Sequence, residues 1–110
     1  MSYNENMPNI ETLSPEDFKA ELALPDTVLI DLRTSWEQTS FWVISDDQIH
    51  IDITLANTTA KLEALDLKGK YLIYCWHGKR SKQVLDFMQS QWFEYVKDLE
   101  GGIDKWKKSL

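Results

Sequence analysis

The amino-acid sequence predicts an α/β fold: a three-layer α/β/α arrangement around a central, mainly parallel sheet of five strands. Short apolar runs typical of strands alternate along the chain with segments whose apolar residues recur at helical spacing. The run at residues 28–32 is apolar almost throughout, as expected of a strand that helices cover on both faces. Strands that alternate with helices are joined by crossover connections, and such connections produce parallel neighbours.

Local start signals define the first elements. Residues 1–8 predict a flexible polar leader, and residues 9–110 predict a single domain. An edge strand is predicted at residues 10–12. Ser14 as N-cap and Pro15 at the first helical position predict the start of a helix. The Pro-Asp pair ten residues later ends it and leads into the first buried strand.

The middle of the chain gives weaker signals. Residues 33–47 contain apolar side chains without a regular period, which predicts a short helix and a loop. Residues 48–53 alternate between polar and apolar, as a half-buried strand does. Residues 55–65 predict a helix whose apolar face includes Leu55 and Leu62.

The last part of the chain is more regular. One apolar strand ends at Cys75, and residues 81–92 predict an amphipathic helix with Trp92 on its apolar face. Residues 95–99 predict a final strand. A pair of glycines then turns the chain into a terminal helix that carries Trp106.

Composition excludes several classes of protein. With 43% hydrophobic and 27% charged residues in 110, the chain has the composition of a soluble globular domain. The net charge of −6 argues against a nucleic-acid-binding surface, and no segment has the length of a membrane span. One cysteine forms no intramolecular disulfide, and the first residues lack the pattern of a signal peptide. We therefore expect a cytoplasmic protein without nucleic-acid or membrane partners.

Cys75 is the main candidate for chemistry because it lies where a strand gives way to a helix. The N–H groups and dipole at the start of a helix favour negative charge, so a cysteine placed there is expected to ionise readily and act as a nucleophile. Gly78 lets the loop curl, and Lys79 and Arg80 add positive charge before Ser81 opens the helix. The N–H groups of residues 76–81 are expected to point inward as an anion-binding nest.

Each of these residues also has a simpler interpretation. Cys75 would be a buried structural cysteine, since free cysteines are among the most buried residues. Trp76 either belongs to the core or lines the mouth of a pocket, and His77 is either a solvated loop residue or a general base. His50 is predicted on the second face of its strand. A single cysteine and two histidines give no zinc-site spacing, so no metal is expected.

The motif Cys75-x-x-Gly78-x-Arg80-Ser81 resembles the active-site loop of the rhodanese family of sulfurtransferases. Three further segments support the resemblance over nearly the whole chain, and the first is the helix start at residues 14–17. Asp31 and Arg33 at a strand end, followed by Glu37, are similar to the family's Asp-x-Arg motif. Residues 95–102, with Trp106 behind them, are similar to its closing strand, double glycine and tryptophan. Residues 41–50 depart from the family pattern, because they lack its proline and glycine.

The resemblance implies a cofactor-free sulfurtransferase. Cys75 would take a sulfur from a small anionic donor such as thiosulfate and pass it from a persulfide to a thiol or cyanide. The substrate-binding loop would consist of Trp76, His77, Gly78, Lys79, Arg80 and Ser81, with Lys79 and Arg80 holding the donor. Asp31, Arg33 and Glu37 would support the site, for example with Arg33 paired to Glu37. The simpler interpretation of Asp31 and Arg33, which we favour, is a structural ion pair or cap at the strand end.

Two alternatives remain open. The domain would instead be a sulfur-relay or binding module whose acceptor is a protein thiol. The second alternative is a cysteine phosphatase, a class whose active-site loop is similar but has five residues between the cysteine and the arginine. Here four residues separate Cys75 from Arg80, which makes the loop small for phosphate and favours a single sulfur.

Overall fold

The computed structural model describes residues 11–110, and within them five strands form one sheet in the order β1-β5-β4-β2-β3. All four pairs of neighbouring strands in this sheet are parallel, which confirms the predicted fold class. The predicted leader at residues 1–8 and Ile10 of the predicted edge strand lie outside the described residues.

The elements are, in chain order, β1 (Thr12–Leu13), α1 (Pro15–Leu22), β2 (Thr27–Asp31), α2 (Ser35–Ser40), β3 (Ile49–His50), α3 (Thr58–Glu63), β4 (Lys70–Tyr74), α4 (Lys79–Ser90), β5 (Tyr95–Leu99) and α5 (Gly102–Lys108).

Helices cover both faces of the sheet. On one face, α1 and α5 contribute Phe18, Ile103 and Trp106 to a buried cluster with the strand residues Leu29 and Leu72. On the other face, α3 and α4 pack onto the sheet through a second cluster, which includes Leu62, Val84, Leu85 and Met88. Burying these side chains on two faces explains why the central strands are apolar almost throughout.

The half-buried strand predicted at residues 48–53 is shorter than expected. Only Ile49–His50 pairs as β3, at the edge of the sheet, and the Ile49 side chain is exposed. Asp52 then stops the strand, because its carboxylate accepts bonds from the backbone N–H and the hydroxyl of Thr54. The turn that follows delays α3 until Thr58 and leaves Leu55 exposed, so the prediction that Leu55 lies on a buried helical face was wrong.

The helix after Cys75 also differs at both ends from its prediction. It begins at Lys79, two residues early, and ends at Ser90. Trp92 follows it in the left-handed region with φ 69° and is 83% exposed, so its predicted place on the apolar face was wrong. The N–H of Phe93 donates to the carbonyl of Met88, and the N–H of Trp92 to that of Gln89, both at 3.2 Å. This is a Schellman ending, in which Phe93 rather than Trp92 packs back on the core.

The Schellman ending predicts that Trp92→Gly stabilises the protein. The left-handed conformation costs a residue with a Cβ about 1–2 kcal/mol, and part of that gain is offset by the entropy of glycine in the unfolded chain. We expect a net gain of about 0.5–1 kcal/mol in the unfolding free energy, measured by urea denaturation. Trp92→Ala is the control, because it removes the ring but keeps the Cβ. Equal stability of the two variants would contradict the explanation.

Candidate active site around Cys75

Cys75 follows directly on Tyr74, the last residue of the middle strand β4, and its side chain is buried. The backbone then curls around the sulfur: the N–H of Gly78 donates to Sγ at 3.1 Å and the N–H of Ser81 at 3.3 Å. Gly78 has φ 95°, a conformation that favours glycine, and a Cβ there would lie 3.2 Å from the Gly101 nitrogen. Two N–H groups of the predicted nest therefore point at the sulfur.

The start of α5 holds the first residues of this loop. The N–H of Ile103 donates to the carbonyl of Cys75 at 2.9 Å, and the N–H of Asp104 to that of Trp76 at 3.1 Å. A Cβ at Gly102 would lie 2.4 Å from the Trp76 carbonyl oxygen. The double glycine therefore acts by letting the helix approach the cysteine loop closely, and α5 in turn satisfies two carbonyls of that loop.

Asp98 is a site residue that the sequence did not single out beyond its place in the closing strand. It lies fully buried in β5, where its Oδ2 accepts the hydroxyl of Ser81 at 2.8 Å. Its Oδ1 accepts the hydroxyl of Thr12 at 2.6 Å and lies 3.7 Å from Lys82 Nζ. Ser81 is thus fixed by a buried carboxylate while its N–H contacts the sulfur. The sequence feature that could have indicated this role is the carboxylate itself, which lies in a strand that otherwise contributes to the core.

Glu37 binds Arg80, not Arg33 as the sequence suggested. The Arg80 guanidinium donates to both oxygens of the Glu37 carboxylate at 2.8 Å. Glu37 also accepts the backbone N–H of Thr34 in a capping box at the start of α2. The Arg80 bonds outweigh the effect of burial and lower the pKa of Glu37 to about 2. This pair joins α2 to the cysteine loop across 43 residues of sequence.

Arg33 is fully buried and pairs instead with Asp31, through two bonds of 3.0 and 2.9 Å from Nε and Nη2. Burial tends to raise the pKa of Asp31, but the bonds from Arg33 and from Gln38 hold it below its ordinary value. Burial and the charge of Asp31 raise the pKa of Tyr74, whose hydroxyl lies 2.9 Å from Asp31 Oδ2. This pair therefore organises the region next to β4 and touches neither Glu37 nor the sulfur.

The same polar group orders the segment that departs from the family pattern. Arg33 Nη2 donates to the carbonyl of Trp42 at 2.6 Å. The Tyr74 hydroxyl lies 2.6 Å from Gln48 Oε1 and accepts the N–H of Ile44 at 3.3 Å. In place of a proline and a glycine, side-chain hydrogen bonds from the sheet edge hold this segment.

The remaining predicted site residues lie around the loop. Trp76 is half-buried and packs on the core cluster of α1 and α5, as its core interpretation predicted, and its place at the mouth of a pocket stays a prediction. His77 is exposed, with Nδ1 3.8 Å from Asp104, and Lys79 is exposed. His50 lies apart from them and contacts the Arg33 carbonyl through Nε2 at 2.6 Å.

Residues 11–110 contain neither a metal-binding cluster nor a membrane-spanning helix. No group of three or more His, Cys, Asp or Glu side chains there has the arrangement of a metal site. In the same residues, no helix has the length and apolar character needed to span a membrane.

A cysteine cradled by backbone N–H groups, at the carboxyl edge of a parallel sheet, defines an α/β domain built around a single thiol. Comparison with known proteins identifies that domain. The family model described as the rhodanese-like domain matches residues 14–109, and the chain belongs to this family.

Three relatives illustrate the likeness. The chain is 34% identical to a thiosulfate sulfurtransferase, GlpE, of Coxiella burnetii over 74% of this chain and 73% of that protein. It is 31% identical to a tRNA uridine(34) hydroxylase of Sinorhizobium fredii over 89% of this chain, but it spans only 32% of the hydroxylase. A rhodanese-related protein of Thermoplasma volcanium has the same fold, with a TM-score of 0.76 over 90% of this chain and 92% of that one, at 24% identity.

The contact between Asp98 and Ser81 predicts an asymmetric effect of two substitutions. Asp98→Ala leaves the Ser81 and Thr12 hydroxyls without their buried acceptor, and we expect a loss of about 1–3 kcal/mol in unfolding free energy. Asp98→Asn keeps an acceptor oxygen and should lose less. Urea denaturation of both variants measures the difference, and equal losses would mean that these hydrogen bonds contribute nothing.

The Glu37–Arg80 pair predicts a stability term that depends on pH. Because folding lowers the pKa of Glu37 from 4.5 to about 2, the pair stabilises the protein above about pH 4.5. That contribution disappears as the pH falls toward 2. Relative to Glu37→Gln, the parent should be more stable by about 1–3 kcal/mol at pH 7, with a difference that shrinks through pH 4 and pH 3.

Urea denaturation of the parent and Glu37→Gln at each pH measures this difference. Glu63→Gln, at an exposed position of α3, is the control and should show no such trend. A difference between parent and Glu37→Gln that stays constant from pH 7 to pH 3 would contradict the assignment.

Proposed function

We propose that the protein is a cytoplasmic sulfurtransferase that works through a persulfide on Cys75. The Cys75 thiolate attacks the outer sulfur of an anionic donor such as thiosulfate, the sulfur–sulfur bond of the donor breaks, and sulfite leaves with the electron pair. A thiol or cyanide then removes the outer sulfur from the persulfide and restores the thiolate. The observation that carries the proposal is the pair of N–H groups, from Gly78 and Ser81, that donate to Sγ.

Those N–H groups suit this chemistry because they stabilise an anionic sulfur without adding a titratable group. Before attack the negative charge of the thiolate lies on Sγ, so these preorganised donors favour that state. The exposed Lys79 would attract the anionic donor. Arg80 lies beside the loop, held in place by the Glu37 carboxylate, which offsets most of its positive charge. The name of the Coxiella relative supports thiosulfate as a donor.

A sulfur-relay module with a protein thiol as acceptor is the second candidate. The observation that favours it is the resemblance to about a third of a tRNA uridine(34) hydroxylase, which shows a domain of this kind as part of a larger protein. A relay would load Cys75 from a donor but would turn over slowly with cyanide or a small thiol as acceptor. A steady-state assay with both acceptors therefore separates the two candidates.

Cys75→Ser tests the nucleophile. A hydroxyl does not ionise near neutral pH and does not hold a persulfide, so we expect loss of sulfur transfer with the fold retained. Intact-protein mass spectrometry after incubation with thiosulfate should show one added sulfur on the parent and none on the variant. Equal loading of the two proteins would place the chemistry elsewhere. Hydrolysis of an aryl phosphate by the parent, without sulfur loading, would instead support the phosphatase alternative.

A further inference from the structure

We propose that Asp98 is a positioning residue for the nucleophile: through the Ser81 hydroxyl it holds the Ser81 N–H against the Cys75 sulfur, and so sustains the reactivity of that sulfur. This inference rests on the proposed function and assigns a further residue to the same site. Two observations carry it. One is the register of β5 beside the strand that leads to Cys75, and the other is the line of contacts from the Asp98 carboxylate to Sγ.

The pairing of the strands places Asp98 beside the cysteine loop. Asp98 lies opposite Ile73 in the parallel ladder between β4 and β5, and Ile73 is two residues before Cys75. Val96, two residues before Asp98, belongs to the buried cluster that α3 and α4 cover. Side chains two apart on a strand point to the same face of a sheet, so the Asp98 carboxylate lies on the face that α4 covers.

One hydroxyl connects that carboxylate to the loop. The Ser81 hydroxyl donates to Asp98 Oδ2 at 2.8 Å, and its oxygen also lies 3.2 Å from the carbonyl oxygen of Gly78. A hydroxyl has one proton to donate, and the shorter contact with a charged acceptor is the stronger of the two. The backbone N–H of the same serine donates to Sγ at 3.3 Å. Ser81 therefore joins the buried carboxylate of β5 to the sulfur.

The start of α4 depends on this connection. The N-cap of α4 is Gly78, a residue with no side chain to accept the N–H groups that follow it. Ser81 lies in the first turn, where N–H groups have no partner within the helix, and its N–H donates to the sulfur instead. The bond from the Ser81 hydroxyl to β5 holds this end of the helix toward the sheet. Without it, the hydroxyl retains only the Gly78 carbonyl, which lies in the same turn and does not tie α4 to β5.

Asp98 serves this role as a hydrogen-bond acceptor, and its negative charge is offset locally. Its Oδ1 accepts the Thr12 hydroxyl at 2.6 Å and lies 3.7 Å from Lys82 Nζ. A buried anion would by itself oppose negative charge on the nearby sulfur, and these two contacts reduce that effect. An apolar side chain would fill the position without the cost of desolvating a carboxylate, but it could not bind Ser81.

The test measures the rate at which Cys75 reacts with iodoacetamide at neutral pH, followed by intact-protein mass spectrometry. Asp98→Ala removes the acceptor, and we expect the rate to fall about 3- to 10-fold, because a weaker hydrogen bond to the anionic sulfur leaves less reactive thiolate. Asp98→Asn retains an acceptor oxygen for the Ser81 hydroxyl and should keep the rate within about twofold of the parent.

Ser81→Ala breaks the same contact from its other end while retaining the N–H, so it should lower the rate as much as Asp98→Ala does. A protein with both substitutions should lose no more than either single variant, because the two substitutions remove one interaction. The rate of persulfide formation from thiosulfate should follow the same order across these variants.

Thr12→Val is the matched control, because it removes the hydrogen bond to the other oxygen of the same carboxylate. We expect it to lower the unfolding free energy, measured by urea denaturation, and to leave the Cys75 rate unchanged. Two-dimensional NMR adds a direct readout of the N–H···S contact. The Ser81 amide proton should move toward the position of an amide without a hydrogen bond in Asp98→Ala, and should stay in place in Asp98→Asn and Thr12→Val.

Equal Cys75 rates in the parent, Asp98→Ala and Ser81→Ala would overturn this inference. A fall of the same size in Thr12→Val would also overturn it, because lost stability alone would then explain the effect. The reaction with iodoacetamide needs no sulfur donor, so either result leaves the proposed function standing. Failure of the folded parent to acquire sulfur from thiosulfate would overturn the proposed function, and it would leave the iodoacetamide rates to decide the role of Asp98.

Discussion

The curl of the backbone around the Cys75 sulfur is the constraint on which the site depends. It needs a left-handed Gly78 and brings two N–H groups to one atom, an arrangement that a free loop would not keep. Three contacts with distant parts of the chain hold it. The start of α5 binds the first two carbonyls, Asp98 binds the Ser81 hydroxyl, and Glu37 binds the Arg80 side chain.

Buried charged side chains in this protein hold neighbouring segments of the chain in position. Removing an ion pair from water costs more free energy than the attraction within the pair provides, unless further hydrogen bonds satisfy the remaining polar atoms. Asp31 and Arg33 meet that condition in part: Tyr74 and the Trp42 carbonyl bind the pair, but Arg33 Nη1 is buried without a hydrogen-bond partner among residues 11–110. The hydrogen bonds that Arg33 and Tyr74 make around this pair also fix residues 41–48 beside the loop. The segment at residues 41–48 is therefore held by the buried pair of Asp31 and Arg33 and the Tyr74 hydroxyl beside it.

Local patterns in the sequence predicted the central strands, the first helix and the cysteine loop, because burial on two faces and capping act over a few residues. Contacts between distant residues were not predictable in this way. Arg33 and Glu37 are four apart, which made a local pair plausible, but Glu37 binds an arginine 43 residues away. Asp98 acquires its role from Ser81 and Thr12, on two other elements. Trp92 lies at helical spacing from the apolar residues before it, but the helix ends at Ser90 and does not reach Trp92.

The Glu37–Arg80 pair has two opposite effects on the site: it fixes the loop, and it reduces the positive charge beside it. It fixes the loop because a bidentate pair with little exposure has one favoured geometry. The same carboxylate takes up the charge that would otherwise attract an anion. The N–H groups of Gly78 and Ser81 are uncharged and donate to Sγ, so under the proposed function recognition of the anionic sulfur would fall mainly to them. The residue after Cys75 lies at one end of a row of aromatic side chains, Trp76, Phe41 and Trp36, that pack edge to face.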